Sequence, residues 1–189
     1  AKRDRPGYFD GLLRLEDMDD YLGTRAFHRS DLRLVKQGKD LSFDDYSKDG
    51  VADRAKLMQL FNGGAMLLFS HLNRFHLPLA EMLSACEAEI HVPMRSNVYL
   101  SPPGSRGVDL HWDTHDVIVL QISGAKRWHL YDNPVELPHE QHQQDKKLIL
   151  GRANKLTEVV MTPGSMLFLP RGFVHGAEAE SDHSLHITI

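Results

Sequence analysis

From residue 93 onward the chain is punctuated by turn-formers: Pro102-Pro103-Gly104, Ser123-Gly124, Pro163-Gly164 and Arg171-Gly172. Between them lie short runs with apolar character: "SNVYLSP", "VDLHWD", "DVIVLQIS", "AKRWHLYD", "LTEVVMTP", "SMLFLP", "FVHGAEAE" and "HSLHITI". Pieces this short suit strands, and many short strands with regular turns between them indicate a sandwich or barrel. "QISGAKRW" reads as a hairpin with Ser-Gly at its tip. The chain stops inside the last apparent strand, as an excised domain does.

The front of the chain has a different texture. "EDMDDYLGTRA" predicts a short helix. "DRAKLMQLFNGG" spaces Leu57, Leu60 and Phe61 helically and meets a stop at Gly63-Gly64. "LPLAEMLSACEAEI" carries a proline near its start and places Leu79, Met82, Leu83 and Cys86 on one helical face. "AMLLFS" fits either helix or strand. The predicted organisation is one domain: residues 1–92 form a helical or mixed segment that packs on the barrel, and residues 93–189 form the β-rich core. The fold class is mainly β with N-terminal helices.

Composition bounds the function. With 189 residues, 41% of them hydrophobic, the chain can bury one real core. A net charge of -4 and the absence of a basic stripe argue against general nucleic-acid binding. No apolar run approaches the ~20 residues of a membrane helix, and no signal peptide is visible. Cys86 is the single cysteine, so intrachain disulfides are excluded and a cysteine-based zinc site has at most one ligand. The expectation is a soluble cytoplasmic protein.

The chemistry concentrates in "HWDTHD" and "LFLPRGFVHG". Residues i and i+2 of a strand share a face, so His111 and Asp113 can point inward together while Trp112 points away. His175 follows a Pro-Arg-Gly turn, where a strand would re-enter a barrel. Two imidazoles and one carboxylate suit Fe(II) and leave three coordination positions open for dioxygen and a chelating co-substrate. Two alternatives stay open: a metal-free cupin-type barrel with a polar mouth, and a zinc hydrolase, for which no accompanying general base is visible. The other histidines read as structural or surface residues. His115 lines the mouth or the surface. "HEQH" is one residue short of the H-E-x-x-H zinc motif. His71 and His76 do not share a face, and at most one of His183 and His186 points inward. Trp112, Trp128 and Tyr131 read as barrel packing, and "PPGSRG" as a turn beside the site.

The stretch "SNVYLSPPGSRGVDLHWDTHDVIVLQISGAKRWHLY", followed by "LFLPRGFVHGAEAESDHSLHITI", resembles the JmjC-type ribosomal oxygenases, cupin-class Fe(II)/2-oxoglutarate protein hydroxylases. The resemblance implies a double-stranded β-helix holding iron through His111, Asp113 and His175. It implies that Lys126 pairs with the distal carboxylate of 2-oxoglutarate, that Tyr99 hydrogen-bonds the same carboxylate, and that Asn97 lies near co-substrate and target. It also implies a protein substrate, ribosomal by first guess, and a homodimer formed through C-terminal regions that this chain lacks. A family serine would fall just after Ile189. A small-molecule or peptide-maturation hydroxylase, and a non-catalytic cupin-like binding module, are the competing readings.

Overall fold

The computed structural model describes residues 5–139 and 146–189. Three helices lie in the front half of the chain, among the first five strands. α1 (Leu15–Thr24) carries Glu16 and Asp17 in its first turn, where the helix dipole favours them, and buries Met18 and Leu22 one turn apart. α2 (Arg54–Asn62) begins where the Asp53 carboxylate accepts the Lys56 N–H at 3.0 Å, and ends at Gly63. α3 (Leu77–Ile90) has Pro78 in its first turn and buries Leu79 and Leu83. The strands are β1 (Leu32–Lys36), β2 (Lys39–Asp40), β3 (Ser47–Lys48), β4 (Val51–Ala52), β5 (Met66–Ser70), β6 (Asn97–Ser101), β7 (Val117–Tyr131), β8 (Lys155–Met161), β9 (Met166–Leu169) and β10 (His175–Thr188). A short helix, α4 (Lys146–Leu150), precedes β8. "AMLLFS" is thus a strand. Four of the five β5 residues are buried, as expected of a run covered on both faces.

Among the described residues one eight-stranded sheet runs β2-β1-β5-β6-β10-β7-β8, with β9 pairing β7 beside β8. The register sorts residues between its faces. Leu32, Phe69, Val98, Ile187 and Leu120 align across five strands, and so do Leu34, Leu67, Leu100 and Leu185. Both rows are buried in the main core, where Leu13, Met18, Leu22 and Leu57 from the front of the chain cover them. The intervening rows face the other way. Arg33, Leu68, Tyr99 and His186 form one, and Ser70, Asn97 and Thr188 another. All seven line a single cavity. The two faces of one sheet therefore build the core and the site.

The long strands correct the sequence reading. "QISGAKRW" is not a hairpin: Ser123 and Gly124 lie inside the uninterrupted 15-residue β7. "FVHGAEAE" and "HSLHITI" are likewise parts of one strand, β10. β7 changes faces midway. Val119 and Gln121 pair with the cavity-side residues Thr188 and His186, so odd positions face inward there. Ile122 and Ser123 then stand opposite the single Leu185, a β-bulge, after which the even positions Lys126 and Trp128 line the cavity. Gly124 sits beside the bulge with φ +64, and a Cβ there would lie 1.7 Å from the His183 carbonyl oxygen. The turn-like Ser-Gly pair thus marks a bend within a strand. "VDLHWD" is not a regular strand either; its residues make only isolated bridges, His111 to His175 and Val108 to Gly38. Most of "EQHQQDKK", and with it part of "HEQH", lies outside the described residues.

Candidate active site

The irregular segment after β6 delivers two of the three expected ligands. His111 is fixed to the start of β10 by paired backbone hydrogen bonds: its N–H donates to the His175 carbonyl at 3.0 Å, and the His175 N–H donates to the His111 carbonyl at 2.8 Å. Asp113 follows two residues later, and its carbonyl accepts the Gly172 N–H at 2.9 Å. Arg171 closes the arrangement. Its backbone N–H and guanidinium both donate to Asp116, at 2.9 and 3.1 Å, and that contact holds the Asp116 carboxyl below the usual range. The Pro-Arg-Gly turn is thereby tied to the segment carrying Asp113. Trp112 points away, as its position between two inward residues demands, and is buried with Ile149 and Val174.

His111, Asp113 and His175 each present one donor atom, and these atoms lie within 4.8 Å of one another. The Asp113 carboxylate is 3.6 Å from His175 Nε2. Both imidazoles are oriented alike. His111 Nδ1 donates to the Asp109 carbonyl at 2.8 Å, and His175 Nδ1 to the Phe173 carbonyl at 2.9 Å. A carbonyl only accepts, so each ring carries its proton on Nδ1 and turns a bare Nε2 lone pair inward, the tautomer a metal requires. Burial, and then the neighbouring His111, push the His175 pKa down to about 4, which keeps its ring neutral. The donor set therefore fits a divalent transition metal and leaves one side of it open.

That side opens on a cavity of about 310 Å³ lined by the triad, Asn97, Tyr99, Lys126, Trp128 and His186, among others. Lys126 is 2% exposed. Its Nζ donates to Ser101 Oγ at 3.0 Å, and among the described residues no carboxylate pairs with it. Burial pulls its pKa down to about 7. Tyr99 stacks on His186, with centroids 4.6 Å apart and planes 9° from parallel. Its hydroxyl engages the side chains of Thr188 and Asn97, and burial raises its pKa. Asn97 Oδ1 also accepts the His71 N–H at 3.4 Å. The structure thus gathers all six sequence-nominated residues around one cavity. His115 lines its mouth.

Several lining residues escaped the sequence reading. Arg33, Met66 and Leu68 come from β1 and β5 in the front half, and only pairing register places them here. Ser101, the hydrogen-bond partner of Lys126, had a findable signal: it lies two residues after Tyr99 on the same strand. His186 was one of the two positions left open. It is 2% exposed, and burial together with Lys126 drives its pKa well below the ordinary histidine value. His183 instead bonds Ser123 Oγ at 2.9 Å. Of the other histidines, His76 is structural: it links Tyr21 to the Leu12 carbonyl, each at 2.7 Å.

The chain is similar to known proteins. A family model described as the JmjC domain matches residues 72–189. Ribosomal oxygenase 2 of Rattus norvegicus is 31% identical over the whole chain, which spans 41% of that protein. Ribosomal oxygenase 1 of Gallus gallus is 30% identical over the whole chain, which spans 32% of it. The bifunctional lysine-specific demethylase and histidyl-hydroxylase NO66 of Drosophila persimilis is 33% identical, and the chain spans 27% of its length. The chain is thus less than half as long as these relatives. Among solved structures, the ribosomal oxygenase YcfD of Escherichia coli superposes with a TM-score of 0.60 at 20% identity, over 94% of this chain and 44% of the other. A second YcfD structure, in complex with cobalt and 2-oxoglutarate, gives 0.59 at 18% identity, over 97% of this chain and 44% of the other. The fold is the double-stranded β-helix expected from the sequence, and the chain belongs to the JmjC domain family.

Proposed function

We propose that the chain is the catalytic domain of an Fe(II)- and 2-oxoglutarate-dependent oxygenase that hydroxylates a protein side chain. The observation that carries this reading is one continuous cavity with two bare imidazole nitrogens and a carboxylate at one place and a buried, carboxylate-free lysine at another. His111, Asp113 and His175 would hold the metal. Bound there, Fe(II) would supply dioxygen activation coupled to decarboxylation of 2-oxoglutarate to succinate, with one oxygen atom entering an unactivated C–H bond.

The residues of this chain set the stage for that chemistry. Lys126 receives the distal carboxylate of 2-oxoglutarate and regains the proton that burial favours losing, because a dianion offsets the desolvation of its ammonium. Tyr99 would donate its hydroxyl proton to the same ligand by exchanging its present partners, Thr188 and Asn97, and Asn97 borders co-substrate and target. The Arg171–Asp116 clasp holds the turn before His175 in place, and the apolar walls Leu68, Val117 and Trp128 limit water.

The relatives named as ribosomal oxygenases and as a histidyl-hydroxylase favour a polypeptide target, a ribosomal protein first. The competing readings fit less well. A zinc hydrolase needs a general base, yet among the described residues Asp113 is the only carboxylate lining the cavity and already belongs to the triad. A non-catalytic binding barrel has no use for two oriented ring tautomers facing one carboxylate. No helix among the described residues is long and apolar enough to cross a membrane, and the lone cysteine suits a reducing, cytoplasmic setting.

The deciding experiment is anaerobic titration with Fe(II) or Mn(II) and then 2-oxoglutarate, followed by admission of air with ribosomal-protein fragments. One metal per chain, succinate formation and a gain of one oxygen atom on a fragment are expected. Failure to bind 2-oxoglutarate in the metal-loaded protein would overturn the reaction class. Robust oxidation of a small metabolite, with none of any polypeptide, would overturn the substrate class.

A further inference from the structure

Among the described residues Lys126 is the only lysine, arginine, aspartate or glutamate with a fully buried side chain. Its amine meets Ser101 Oγ at 3.0 Å, Met66 Sδ at 4.0 Å and the face of Tyr99 at 6.0 Å. Arg33 from β1 lines the same cavity and pairs with Asp40 at 2.7 Å. His186 from β10 and Tyr99 from β6 are both held uncharged by burial, and Asp113 lies against His175 at 3.6 Å. A buried ammonium with no carboxylate beside it sheds its proton rather than remain charged, here with a pKa of about 7. Lys126 is therefore available as a free amine near neutral pH, and a free amine is a nucleophile.

One other feature of the cavity calls for an acceptor. Trp128, two residues further along the same face of β7, has a buried Nε1–H with no partner among the described residues. Indole nitrogen only donates, so it is satisfied only by an acceptor. His186 Nδ1 is also buried without a partner among the described residues. Ser101 Oγ meets the amine directly, and Trp128 and His186 add unmet hydrogen-bonding capacity to the same cavity, where an extra carboxylate would find the indole donor.

We infer that Lys126 is a reversible carbamylation site for carbon dioxide. The nitrogen lone pair attacks the carbon of CO2 and an N–C bond forms. One C=O π pair becomes the carboxylate charge, and the nitrogen loses one proton to solvent. The side chain then ends in an anion able to accept from Ser101 and Trp128. Release is the reverse: the proton returns to nitrogen as the N–C bond breaks. The modification requires only the cavity. Its consequence, competition between CO2 and 2-oxoglutarate, rests on the proposed function, because the carbamate replaces a cationic anchor with an anion that repels a dicarboxylate. An enzyme releasing CO2 would then be restrained by its own product.

The test uses the full chain in isotopically labelled bicarbonate at mildly alkaline pH. A trialkyloxonium salt traps carbamates as esters, and peptide mass spectrometry locates them. Lys126 should be labelled roughly ten-fold or more above the exposed Lys39, Lys48 and Lys56. Lys126→Arg should abolish that label, and a guanidinium keeps the positive charge. Label at Lys126 no higher than at the exposed lysines overturns the inference, whatever 2-oxoglutarate does. Added 2-oxoglutarate should suppress the label. A Lys126 label that 2-oxoglutarate leaves untouched upholds the modification and instead overturns the co-substrate assignment.

Discussion

His111 and His175 hold their protons on Nδ1 through backbone carbonyls, so replacing either ring removes a metal donor without freeing a buried charge. Replacing any of His111, Asp113 and His175 by alanine should abolish stoichiometric Fe(II) binding and succinate formation, read by anaerobic metal titration and product assay. Full occupancy in His175→Ala would exclude it as a ligand. Lys126 calls for a different measurement. Losing one partner of a buried charged contact typically costs roughly 2–5 kcal/mol, so Lys126→Ala should weaken 2-oxoglutarate about ten-fold or more while metal affinity holds, in titrations at fixed metal. The same residue sets a pH dependence. Its pKa falls from 10.5 in the unfolded chain to about 7 in the fold, so between those values the unfolded chain binds the extra proton. Stability of the ligand-free protein should therefore rise as pH increases from 7 toward 9, by an amount that Lys126→Met removes. Tyr46 and Tyr99, whose pKa values burial raises above 10.0, oppose this only at higher pH. Denaturant midpoints of the two proteins that move in parallel over that range would show that Lys126 keeps an ordinary pKa.

At the level of elements, the site depends on a change of face within β7. Without the extra residue at Ile122, Lys126 and Trp128 would fall on the face that packs against the helices. Gly124 permits the bend, since a side chain there meets both a positive φ and the His183 carbonyl. Gly124→Ala should cost about 3 kcal/mol, the upper end of the usual cost of backbone strain, in urea unfolding. It should also weaken 2-oxoglutarate more than metal, because Lys126 lies downstream of the bend and the triad is carried elsewhere. A mutant with wild-type stability would show that the strand tolerates another geometry. This element also marks where sequence legibility stops. Three helices, the short strands β6, β8 and β9, and the grouping of His111, Asp113 and His175 could be read from spacing and turn chemistry, because those signals act within a few residues. A bulge is defined by the partner strand, and Leu185 carries no local sign that two residues oppose it. Ser123-Gly124 has the composition of a hairpin tip, and only the pairing with β10 shows a continuous strand. For the same reason Arg33, Met66 and Leu68 could not be assigned to the cavity, since their inward face follows from register across β1, β5 and β6.

At the scale of the molecule, the two halves share one sheet and one core. β1 and β5 from the front of the chain join β6 and β10 from the rear, and the rows of leucines they form are sealed by α1 and α2. Unfolding should therefore be a single transition, with tryptophan fluorescence and far-ultraviolet circular dichroism giving the same midpoint. Residues 93–189 expressed alone should show no cooperative transition, since Val98, Leu100, Leu185 and Ile187 would lose their cover. Separate transitions would mean that the halves are independent. The backbone bridge between His111 and His175 has its own consequence for how the protein handles an ion. Residues far apart in sequence are already joined by amide hydrogen bonds next to the donor atoms, so capture of a metal loses little chain entropy and the chelate effect is met in advance. Stripping the ion with a chelator should then lower the melting temperature through mass action and leave the circular dichroism spectrum unchanged, and a reloaded protein should bind at a rate set by diffusion and ligand exchange rather than by refolding.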